Sequence, residues 1–146
     1  MEDRYDIYSD NMKRLSISVV NSDFGKGYDS LKSSKLNKGI LPFKNYFGFD
    51  VLRKDVHTNV SYSGFQGLIN EVKSEMKRHC KKGCIAMTIS SHGKIEIKDG
   101  RMNHLLLCSE YKSNDNEKTL RWFPTNYLVQ EVRECFNGPL IILIQV

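Results

Sequence analysis

Three groups of residues have types and spacings that could do chemistry. The first is Ser90-Ser91-His92-Gly93, which directly follows the apolar run Cys84-Ile-Ala-Met-Thr-Ile-Ser90. Ligand sites in open α/β sheets gather at the carboxyl ends of buried strands. A histidine there could serve as a general base, with the Gly93 amide donating to an oxyanion. The plainer alternative is a solvated loop histidine. The second group is the four cysteines, at positions 80, 84, 108 and 135. His79-Cys80-(x3)-Cys84 invites zinc, but no second close pair of Cys or His completes four ligands. His104 and Cys108 lie four apart, a spacing that suggests a shared ligand only if the stretch is helical, where such residues are one turn apart. Reduced, buried thiols explain these positions more simply, so no metal and no other cofactor is expected. The third group is Lys77, Arg78, Lys81 and Lys82. This patch could meet nucleic acid, yet no nucleic-acid motif accompanies it, and cations at a helix C-terminus complement the macrodipole. No nucleic-acid partner is expected.

The elements that must position these residues alternate between strand and helix. Leu15-Ser-Ile-Ser-Val-Val20 is short, β-branched and closed by Asn21-Ser-Asp23, which predicts a first strand. Lys26 to Asn37 reads as loop with room for one short helix, and Gly39 with Pro42 argues against a long helix before Phe47. Phe49–Arg53 is the second predicted strand. Ser63 is the predicted cap of an amphipathic helix presenting Phe65, Leu68, Ile69, Val72 and Met76 on one face. Cys84–Ser90 is a continuous apolar run suited to a buried strand. Asp99-Gly100 between the alternating segments Lys94–Lys98 and Arg101–Leu107 predicts a hairpin. Ser109–Lys118 is a polar loop. Asn126 is the predicted cap of a second helix facing inward through Leu128, Val129, Val132 and Phe136. Gly138-Pro139 ends that helix, and Leu140–Val146 is a last strand that reads as buried on both faces.

The chain of 146 residues has the size of one domain, and 40% hydrophobic with 27% charged residues are globular values, which excludes wholesale disorder. The net charge of +5 arises from 22 basic against 17 acidic residues, so neither sign dominates. The longest uninterrupted apolar run, Leu140–Ile144, is far below the ~20 residues of a membrane span. Met1-Glu-Asp-Arg-Tyr-Asp6 lacks the apolar stretch of a signal peptide. The expectation is one cytoplasmic α/β domain over 1–146 with a mostly parallel sheet and no membrane partner. No Gly-rich phosphate loop follows the first strand, which counts against nucleotide binding.

In order along the chain, several segments resemble the large subunit of the caspases, a family of cysteine endopeptidases. They are Asn21 with Phe24, Phe47-Gly-Phe-Asp-Val51, Lys54-Asp-Val-His-Thr58, the amphipathic helix, and the apolar strand into Ser91-His92-Gly93. The Asp99-Gly100 hairpin and Asn137-Gly-Pro-Leu-Ile-Ile-Leu-Ile-Gln145 continue the likeness, which covers nearly the whole chain. The resemblance implies the large-subunit half of a caspase-like three-layer sandwich with a sheet of about four strands, ordered second, first, third, fourth. It makes His92 and Gly93 vestiges of the catalytic pair and Gln145 a remnant of the substrate pocket.

Departures from the family pattern point to a pseudoenzyme. The nucleophilic cysteine of the family stands two residues after the glutamine matched by Gln145, and the sequence stops at Val146. None of the four cysteines occupies that position in the match, and without a thiolate no acyl-enzyme forms. The family's substrate-reading arginine belongs in the interval Gly25–Tyr46, which contains none. Lys38-Gly39 is the nearest echo, and lysine does not reproduce bidentate carboxylate recognition. The resemblance therefore implies an inactive caspase homologue, of the kind carried by large DNA viruses of insects such as ascoviruses, that inhibits host apoptosis by binding a caspase or its regulator. A second reading keeps an enzyme: a composite endopeptidase to which this chain gives His92 and another chain the cysteine. The last strand, through Leu140, Ile142, Ile144 and Val146, is the expected binding edge, for a host protein or a second copy in a homodimer. The alternative is that Met1–Met12 folds over that edge.

Overall fold

Leu15, Ile17 and Val19 alternate with Ser16 and Ser18 along the first strand, and all five are buried, so both faces of that strand must be covered. A computed structural model of the chain, which describes residues 8, 12–24, 41–109 and 122–145, shows how. The strand, β1 (Lys13–Val20), lies inside a parallel sheet with β2 (Asp50–Val51), β3 (His57–Thr58), β4 (Gly83–Ser90) and β8 (Leu140–Gln145). The order across the sheet is β2-β1-β4-β8, with β3 pairing β1 farther along. β1 and β4 pair over their full length, from Lys13 beside Gly83 to Val20 beside Ser90. β8 runs beside β4 from Ile85–Leu140 to Ser90–Gln145.

One face of the sheet carries Leu15, Ile17, Val19, Ile85, Met87 and Ile89 against two helices, α2 (Tyr62–Arg78) and α3 (Thr125–Glu134). The apolar stripe expected on α2 is the buried one: Phe65, Leu68, Ile69, Val72 and Met76. On α3, Leu128 and Val132 are buried, Phe136 is buried just beyond the helix, and Val129 is half-buried. The other face is covered where Phe43, on the short helix α1 (Leu41–Asn45), meets Phe49, Cys84 and Ala86. A second sheet, antiparallel and ordered β5-β6-β7, comprises β5 (Gly93–Lys98), β6 (Arg101–Leu107) and β7 (Trp122–Pro124). Its β5–β6 hairpin closes with Asp99 and Gly100 both at positive φ, 52° and 72°, the two-residue turn that the Asp-Gly pair predicts.

Several expectations are corrected. The cap of α2 is Ser61, whose Oγ accepts from the Gly64 amide at 3.1 Å, while Ser63 lies one residue inside the helix. Asn126 caps nothing: α3 starts at Thr125 after Pro124, without a side-chain cap. The second strand shrinks from Phe49–Arg53 to two residues, because Arg53 sits at φ 61°, outside the extended region. β8 is not buried on both faces. Leu140, Ile142 and Ile144 pack on the core, whereas Ile141 and Leu143 are 41% and 54% exposed. The loops at 26–37 and 110–118, the segment 1–7 and Val146 lie outside the described residues.

Gly138 (φ 146°) is needed where β8 starts. A Cβ there would collide with the Gly83 carbonyl oxygen, because β4 and β8 converge at that point. Arg133 holds the turn from the other side, donating to the carbonyls of Gly138 and Phe136 at 2.8 and 2.9 Å.

Candidate functional site

Parallel strands of nearly equal length bring Val20, Ser90 and Gln145 to one end of the sheet, and the residues after them form the candidate site. The backbone is laced across that end: the Asn21 amide donates to the Ser90 carbonyl at 2.9 Å and the Ser91 amide to the Gln145 carbonyl at 3.1 Å. Ser91 is fully buried, and its hydroxyl donates to the Leu107 carbonyl at 2.6 Å. The Leu107 amide in turn donates to the His92 carbonyl at 2.8 Å. These bonds fix where His92 leaves the sheet and where β5 begins.

Asn21 is the centre of this lattice. It is 0% exposed, and its Nδ2 donates to the carbonyls of Val60 and Leu107 at 3.3 and 3.2 Å, while its Oδ1 accepts from the Val60 amide at 2.6 Å. One side chain thus joins the end of β1, the entry to α2 and the end of β6. Beside it Asn59, at φ 52°, accepts from the amides of Ser22 and Asp23, both at 3.1 Å. These bonds hold the turn leading to Phe24. The buried Phe24 ring meets the His92 ring with centroids 4.9 Å apart, so the imidazole rests on an apolar floor and is half-buried.

The structure therefore brings His92, Gly93 and Gln145 to the same end of the sheet. Gly93 and Gln145 are exposed. Leu140, Ile142 and Ile144 lie along β8 with side chains turned to the core, so the outer side of that strand offers its backbone. Among the described residues β8 pairs with β4 alone. A groove of about 320 Å³ runs over the same strand ends, lined by Ser18, Thr88, Ser90, Leu143 and Gln145 among others. The Ser18 and Thr88 hydroxyls satisfy each other at 2.7 Å, but the buried Ser90 Oγ has no hydrogen-bond partner. Sequence reasoning placed Ser90 in the candidate run but missed Asn59 and the reach of Asn21. Only the Asn21–Phe24 spacing signalled either of them.

No cysteine among the described residues offers a thiolate to His92. Cys84 is buried at the amino end of β4 and Cys80 is exposed beyond α2, both at the far end of the sheet. Cys108 follows β6 but is buried, and burial pushes its thiol up to about 12. Burial also raises the Cys135 thiol, which donates to the Val132 carbonyl at 3.0 Å. The zinc candidates are dispersed as well. His79 Nε2 sits 3.4 Å from Glu75, and His104 Nδ1 lies 2.6 Å from the Thr125 hydroxyl. His104 is in a strand, so the four-residue spacing to Cys108 does not put the two on one helical face. Among the described residues no three His, Cys, Asp or Glu side chains converge on a point.

No family model and no curated protein matches the sequence significantly. Among the described residues, no helix is long and apolar enough to cross a membrane.

Proposed function

We propose that this chain is a catalytically inactive, caspase-like module that acts in the host cytoplasm and restrains apoptosis by binding a caspase or a caspase regulator through β8. The observation that carries this reading is the combination of His92-Gly93 just after the carboxyl end of the long central strand β4 with thiols that are buried, protonated or remote. A histidine resting on Phe24 with no thiol to activate performs no acyl transfer. The strand order β2-β1-β4-β8 supports the caspase likeness, since it is the order that likeness implies. The uncharged edge Leu140-Ile-Ile-Leu-Ile-Gln145 supports a strand-adding partner.

Purified chain mixed with a fluorogenic aspartyl-peptide substrate is expected to give no turnover, and mixed with an active caspase to slow it. Replacing exposed Leu143 by Lys is expected to weaken the inhibition, because the new charge flanks the docking edge, while His92→Ala leaves it intact. Turnover that vanishes in His92→Ala would overturn the inactive reading and favour a composite protease. Undiminished caspase activity at saturating chain would overturn the inhibitory one.

A further inference from the structure

The outer side of β5 is the most open strand edge among the described residues: all six residues, Gly93 to Lys98, are exposed, and β6 is their only strand neighbour. In a two-residue hairpin the closing pair, here Lys98 and Arg101, is hydrogen-bonded across the ladder. Alternation then commits Lys94 and Glu96 to β6 as well, and turns the amides and carbonyls of Gly93, Ile95 and Ile97 outward. Ile95, Ile97 and Met102 are 65%, 73% and 70% exposed and share one face of the hairpin. Edges are ordinarily guarded by charge, and Lys94, Glu96 and Lys98 provide it. Their order, however, is Lys-Ile-Glu-Ile-Lys, a palindrome.

We infer that β5 is a homodimer interface, pairing antiparallel with β5 of a second copy about a two-fold axis through Ile95. Only outward-facing residues can form the new hydrogen-bonded pairs, so each symmetric register centres on a residue of β5. Centring on Gly93, Lys94 or Lys98 shortens the ladder, and the latter two set lysine against itself. Centring on Glu96 sets Glu96 against itself and Lys94 against Lys98, and like charges directly opposite repel. Centring on Ile97 sets Ile95 against Asp99, whose positive φ takes it out of the strand. Centring on Ile95 pairs Gly93 with Ile97 twice, Ile95 with itself, and Lys94 with Glu96 twice. It is the register with both the longest ladder and opposite charges face to face. The same charges that repel a foreign edge thus accept the chain's own, which is specificity by electrostatic matching. The second copy also extends the exposed Ile95, Ile97 and Met102 face into a stripe continuous across the axis. A ladder of five residues is smaller than the ~1,600 Å² of a standard interface, so association is reversible and concentration-dependent.

The test is sedimentation equilibrium of the full chain from about 1 µM to about 1 mM, a range that covers weak dimers. Wild type is expected to move from monomer to dimer and no further. Glu96→Lys puts lysines opposite one another at both symmetric pairs and is expected to raise the dissociation constant about tenfold or more. The swap Lys94→Glu with Glu96→Lys restores opposite pairs and is expected to return it to within about threefold of wild type. Ile95→Pro removes an outward amide without touching the β6 ladder, a position where edge strands accept proline, and is expected to abolish the dimer. A wild type that stays monomeric throughout overturns the proposal. So does a dimer indifferent to Glu96→Lys, an exposed substitution whose folding a urea transition verifies independently.

Discussion

Asn21 shows how much one buried polar side chain can organise. Its three bonds reach Val60 and Leu107, 39 and 86 residues away. Removing the amide leaves the buried Val60 N–H without its partner, while the Val60 and Leu107 carbonyls each keep a second donor, the Ser109 amide and the Ser91 hydroxyl. Asn21→Ala is expected to cost about 1–3 kcal/mol in a urea transition, one buried donor losing its partner and two carbonyls losing one of two. A change below about 1 kcal/mol would mean that water replaces the amide there. The sequence marks Asn21 only through its spacing to Phe24, since partners so distant leave no local pattern. His92 was legible for the opposite reason: a continuous apolar run ending in Ser-Ser-His-Gly announces a strand end by itself. His57 yields a second expectation. It is 3% exposed with Nε2 2.9 Å from the Leu52 carbonyl, and burial, with Lys54 and Arg53 nearby, lowers its pKa below the usual 6.5 while Glu71 opposes the shift. The unfolded chain therefore takes up a proton near pH 6.5 while the folded chain resists it. This contribution to stability is intact above that pH and is lost as pH falls through 6.5 toward the lower folded value. Between pH 7.5 and 5, the urea midpoint of wild type is expected to fall more steeply than that of His57→Gln.

At the scale of elements, length and periodicity decided what the sequence could tell. α2, β4 and the β5–β6 hairpin are long or strongly patterned and lie where their patterns put them. β2, β3 and β7 have two, two and three residues, too few for any period, and exist because β1 and β6 offer them partners. The cap of α2 was misjudged because Ser61 and Ser63 both suit the role. The Ser61 hydroxyl reaches the Gly64 amide, and Ser63 joins Ser61 at 3.2 Å. β8 is the instructive case. A run of five aliphatic residues is compatible with burial on one face or two, and only the surroundings choose. Here alternate residues are half-buried and exposed. Ile142→Ala is accordingly expected to cost about 1–3 kcal/mol, less than a fully enclosed isoleucine, because part of its area is already in water. Leu143→Ala, on the opposite face and 54% exposed, is expected to change stability by under about 0.5 kcal/mol. Equal costs in parallel urea titrations would place both side chains in one environment and refute this register.

Across the whole molecule, burial is graded from one sheet to the other, and hydrogen exchange should follow the gradient. β1 and β4 are buried almost throughout and bond along their full length, so their amides exchange only when the domain unfolds. The β5–β6 hairpin is anchored by Leu105, Leu106 and Leu107 at its base and is exposed toward its turn, so its amides exchange through local opening at a smaller free energy. In dilute solution β5 itself should divide residue by residue. Lys94, Glu96 and Lys98 donate to β6 and are slowed, while the amides of Gly93, Ile95 and Ile97 face solvent and exchange rapidly. That alternation is intrinsic to a hairpin edge. Raising the concentration should then act on one subset alone: a second copy on the β5 edge slows the fast set, Gly93, Ile95 and Ile97, toward its neighbours. The amides of β8 stay unchanged, since that edge is left open for a different partner. Concentration-dependent protection at β8 in place of β5 would put the self-association on the other sheet. Residue-resolved exchange at two concentrations thus reads the hairpin register, the location of the interface and the independence of the two edges together.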